Sequence, residues 1–127
     1  MANEIVLRHL QVVWIFFVCG ILSGGALGLL FHRQGFLGGY SSWQRRLCRL
    51  GHIAWFGMGF VQLGFALTCF VVPTPLPELV SLVLITGGVL MPLTCYLSAW
   101  SSKFRHLFAL PVTLLLGSCI AVCLHLS

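Results

Sequence analysis

Five histidines and six cysteines are the side chains here best able to hold a metal or carry redox chemistry. A neutral imidazole can ligate haem iron or a transition metal. His32, His52 and His106 lie at matching ends of three apolar segments, and His9 and His125 lie at the opposite ends. Set face to face, His52 and His106 would hold a b-type haem, with His32 close enough to join them. Arg49 and Arg105 would then pair with the propionates. The plainer reading makes all five histidines amphipathic rings at headgroup depth. No His-x-x-x-His spacing strengthens the metal reading.

The cysteines are less promising. Cys19, Cys69, Cys95, Cys119 and Cys123 lie inside apolar segments, and Cys48 lies in a connection. A disulfide oxidoreductase needs a Cys-x-x-Cys pair at an accessible edge. The sequence has no such pair, so these residues are expected to pack as small hydrophobes. Gln62 is the strongly polar side chain well inside an apolar segment, and a buried amide ties helices together by hydrogen bonds. No apolar segment carries Asp or Glu. That removes most carboxylate catalysis and any proton coupling through an embedded carboxylate.

The elements that position these residues follow from composition. The 127 residues are 59% hydrophobic and 7% charged, with a mean hydropathy of +1.04. Soluble domains carry about 25% charged residues, and a chain this small cannot hide so much apolar surface. Disorder needs the opposite composition. The reading is an all-α integral membrane protein. A helix needs roughly 20 apolar residues to cross the hydrocarbon core, and four stretches qualify: Leu10–Phe31, Gly51–Val72, Leu79–Trp100 and His106–Leu126. Backbone groups in lipid must pair internally, so each is a helix. The expected fold is one four-helix transmembrane domain over 1–127, an up-down bundle. The first apolar run is too long for the h-region of a cleaved leader, about 7–15 residues.

Three prolines between Val72 and Glu78 demand a stiff turn between spans two and three. Trp43 to Leu50 has helical spacing, with Trp43, Leu47 and Leu50 on one face and Arg45, Arg46 and Arg49 on the other. It is expected as a short interfacial helix with its arginines on lipid headgroups. Gly20, Gly24 and Gly28 form a small-residue ridge that lets a second helix backbone approach. Pro92 and Pro111 are expected to kink spans three and four.

Six of the seven basic residues lie in the two connections on one side. The positive-inside rule places those connections in the cytoplasm and both termini outside, in a bacterial cytoplasmic membrane. The charge of +5 thus reflects topology and anionic headgroups and is no sign of a nucleic-acid partner. With no catalytic constellation, the expected function is a non-catalytic subunit, without a cofactor. It would pack against larger integral membrane subunits of a respiratory or other redox assembly. A haem b electron carrier is the alternative.

Overall fold

The computed structural model describes residues 2–127, and the described chain is helical with no strand. Its α-helices are α1 (Ala2–Phe31), α2 (Trp43–Val71), α3 (Glu78–Trp100) and α4 (Ala109–Leu126). Four stretches are long and apolar enough to cross a membrane: Asn3–Phe31, Trp43–Val71, Glu78–Trp100 and Ser102–Leu126. The 18 residues of α4 rise only about 27 Å at 1.5 Å each, short of a hydrocarbon core of about 30 Å. A preceding 3₁₀ stretch, Ser102–Phe108, supplies the missing length. Pro111 then sits in the first turn of α4, where a missing N–H breaks no helical bond. α3 runs unbroken through Pro92.

The short interfacial helix is not found. Trp43–Leu50 forms the first two turns of the 29-residue α2. Ser42 caps that helix, its hydroxyl accepting from the Arg45 N–H at 3.2 Å. The faces also differ from the amphipathic expectation: Trp43 and Leu50 are exposed, and Arg45 and Cys48 are buried.

Short connections force sequential neighbours to pack antiparallel. α1 packs on α2, α2 on α3, and α3 on α4, while α1 and α4 form no sizeable interface among the described residues. The helices therefore make an open row and not a closed ring. At one end, Pro77 caps α3 and Leu76 tucks inward. There Ile5, Phe65, Leu76 and Leu84 form a buried apolar cluster, and Arg8 pairs with Glu78 at 3.0 Å across the rim. The other end is basic. Its α1–α2 loop contains Leu37 in the left-handed region (φ 52°, ψ 38°), followed by Gly38 and Gly39 at φ 79° and 94°. The two glycines take that conformation without steric penalty; a leucine does not.

Candidate functional site

The interior holds a chain of polar groups joining three helices. His9 of α1, Gln62 of α2 and Ser81 of α3 are each fully buried. Gln62 Nε2 donates to the Leu84 carbonyl at 3.1 Å, which leaves Oε1 to accept. Oε1 lies 2.5 Å from His9 Nδ1, so Nδ1 carries the proton in the neutral ring. Nε2 is then an acceptor, and the Ser81 hydroxyl donates to it at 2.7 Å. The Phe65 ring packs against the imidazole, with centroids 4.4 Å apart. Each group has its partner, as burial in an apolar interior demands.

Gln62 thus acts as the expected tie between helices. The expectation for His9, an interfacial ring at the outer edge, is corrected: the ring is central to the tie. Its signal lay in spacing. Ile5, His9, Val13, Phe16 and Gly20 recur every three or four residues and are all buried, so His9 sits on the stripe that faces α2. Serine, histidine and an orienting acceptor in this order can activate a hydroxyl nucleophile. Here all three are sealed, and none lines the adjacent cavity bounded by Glu4, Ile5, Arg8, Pro75, Leu76, Pro77 and Glu78.

Arg45 forms a second polar centre, near the basic end. It is 2% exposed, so it is not free on the lipid-facing side with Arg46 and Arg49 as the pattern suggested. Its guanidinium donates to the carbonyls of Phe36 (2.6 Å), Phe31 (3.3 Å), Gln34 (3.4 Å) and Arg33. It also lies 4.9 Å from the centre of the Phe31 ring. The carbonyls at the end of α1 carry the negative end of the helix dipole, which offsets the buried charge without a carboxylate. The planar fork reaches several carbonyls at once, which an ammonium cannot do. Ser42 reinforces the same loop by donating to the Leu37 carbonyl at 2.5 Å. Arg46 is exposed, and Arg49 lies over the Tyr40 ring at 5.3 Å.

The histidines proposed as a haem pair are not brought together. His52 Nδ1 donates to the Gly20 carbonyl at 2.9 Å, beside the Ser23 hydroxyl. The ring fills the notch at Gly24, where a Cβ would lie 2.5 Å from Cε1 and 3.1 Å from Nε2. His106 is exposed on the 3₁₀ stretch, which packs on α3 and α4. His32 is exposed, its Nδ1 2.5 Å from the Leu29 carbonyl. Among the described residues, no three His, Cys, Asp or Glu side chains are grouped to hold a metal ion.

The glycine ridge divides. Gly20 receives the Phe56 ring and Gly24 the His52 ring, so both serve the α1–α2 interface. They admit rings and not a second backbone. Gly28 faces open space. No family model, curated protein or solved structure matches the chain.

Proposed function

We propose that the chain is a non-catalytic integral membrane subunit that packs against larger membrane subunits and stabilises them. One observation carries this reading. Five helical glycines, Gly25, Gly28, Gly57, Gly64 and Gly117, have nothing within 4 Å of where a Cβ would be. Glycine in a helix costs about 1 kcal/mol relative to alanine, and these five gain no internal packing in return. Small notches on the outside of membrane helices are what a neighbouring helix needs for close approach. The open row of helices adds to this, since both edge helices keep broad apolar faces. The polar interior supports the non-catalytic part: His9, Gln62, Ser81 and Arg45 are engaged in holding the chain together. The proposed setting is a bacterial cytoplasmic membrane, with the basic end inside.

Extraction in mild detergent followed by native mass spectrometry tests the proposal. The expected particle contains the 14.0 kDa chain together with other, larger chains. Gly64→Leu and Gly117→Leu should release the chain from that particle while leaving the melting of the isolated chain unchanged. A parent that extracts alone, or only as multiples of itself, overturns the reading.

A further inference from the structure

The cavity beside the buried tie of His9, Gln62 and Ser81 has a volume of about 280 Å³ and lies between the start of α1 and the proline turn. Glu4, Ile5 and Arg8 of α1 line one side, Glu78 lines the other from the start of α3, and Leu76 with its flanking prolines makes the wall between. Proline fixes φ, so that wall is stiff without a ligand. Both sides stop just short of an apolar stretch: Arg8 precedes the one that begins at Leu10, and Glu78 precedes the one that begins at Leu79. In a membrane-inserted chain the cavity therefore sits at headgroup depth.

The lining itself carries charge of both signs. The chain has two acidic side chains, Glu4 and Glu78, and both line this cavity together with Arg8. Arg8 Nη1 donates to Glu78 Oε1 at 3.0 Å, and the two side chains are 38% and 59% exposed. A guanidinium has five N–H donors and a carboxylate about four acceptor sites, so this bond leaves both groups able to hold a ligand. A purely anionic group would approach two carboxylates. A quaternary ammonium could meet those carboxylates but has no N–H to donate. A phosphate joined to a primary ammonium matches both signs and can bond to both.

We propose that this cavity holds the headgroup of phosphatidylethanolamine. Arg8 takes the phosphate, Glu78 accepts from the ammonium in the negative field to which Glu4 adds, and Ile5 and Leu76 give the apolar lining beneath the headgroup. The preference belongs to the isolated chain, so it is read separately from whether larger subunits co-extract.

Native mass spectrometry of the full chain with phosphatidylethanolamine, phosphatidylcholine or phosphatidylglycerol of matched acyl chains tests this. Phosphatidylethanolamine should be retained about fivefold better than either of the others, the factor that one charge contributes near a membrane surface. Glu78→Gln should abolish the preference over phosphatidylglycerol, because Arg8 then meets the anion without a competing carboxylate. An exposed ion pair contributes little to stability, so this variant keeps its fold. Arg8→Gln should lower the retention of all three lipids. Arg46→Gln, a charge change at the basic end, should leave the preference intact. Equal retention of the three lipids by the parent, an unchanged preference in Glu78→Gln, or unchanged retention in Arg8→Gln overturns the proposal. So does full displacement of the lipid by millimolar glycerophosphoethanolamine, which would assign the site to a soluble ligand.

Discussion

His9, Gln62 and Ser81 show how much a single buried polar side chain depends on its partners. Each bond joins a different pair of helices, so removing one partner leaves another group dry and unpaired. An unsatisfied buried donor or acceptor costs about 1–3 kcal/mol, whereas replacing both partners with apolar groups of similar shape is nearly neutral. Gln62→Leu should therefore lower stability by about 1–3 kcal/mol, because it strands the His9 Nδ1 proton. Adding His9→Phe should recover part of that loss, even though it removes a second native residue. Thermal melting in one detergent, read as a double-mutant cycle, checks this. A double variant no more stable than Gln62→Leu would mean that the two side chains are not coupled. Arg45 follows the same logic with a charge in place of a proton, and its carbonyl partners fix the α1–α2 loop.

At the scale of the elements, glycines and rings interlock α1 with α2. Gly20 accepts Phe56, Gly24 accepts His52, and Gly59 of α2 accepts Phe17 of α1. Membrane helices gain little from hydrophobicity on association, so a lost fit is not replaced. Gly24→Leu would drive a branched side chain into the His52 ring. Overpacking of this kind should destabilise the chain by about 1–3 kcal/mol. Gly28→Ala, one ridge step beyond the Gly24 notch, meets open space and should leave the isolated chain unchanged or stabilise it by about 0.5–1 kcal/mol. Melting of the purified variants separates the two. Equal behaviour at positions 24 and 28 would show that the notches do not hold the helices together.

For the whole molecule, the distribution of charge defines two unlike ends. Two polar pairs, Arg8 with Glu78 and His125 with Thr74, gather where the chain termini meet the proline turn. The arginine-rich loop and the 3₁₀ stretch gather at the other end. The positive-inside rule predicts that such a molecule places its basic end in the cytoplasm. In a background without other cysteines, Tyr40→Cys should react with a membrane-impermeant maleimide only after intact cells are opened, and Asn3→Cys should react before. Labelling of position 40 from outside intact cells would reverse the orientation.

Span number and the order of turns were legible in the sequence because they depend on local quantities: apolar length, and prolines that cannot continue a helix. Gln62 was legible for a similar reason, since an amide in lipid must find a partner wherever the helices lie. Arg45 was open to a different reading. Counting back from Gln62 through Gly59, Trp55, His52 and Cys48 in steps of three and four reaches Arg45, which puts it on the face turned inward. The arginine cluster instead suggested a separate helix on the membrane surface. Which reading holds depends on whether α2 continues through Gly51, and on whether carbonyls lie within reach of the guanidinium. Those carbonyls belong to α1 and its loop, up to 14 residues away along the chain. His9 is the same case across a longer distance: its partners on α2 and α3 are 53 and 72 residues away. Apolar length is a property of a segment, but the partner of a buried polar group is set by which helices pack, and only the tertiary structure decides that.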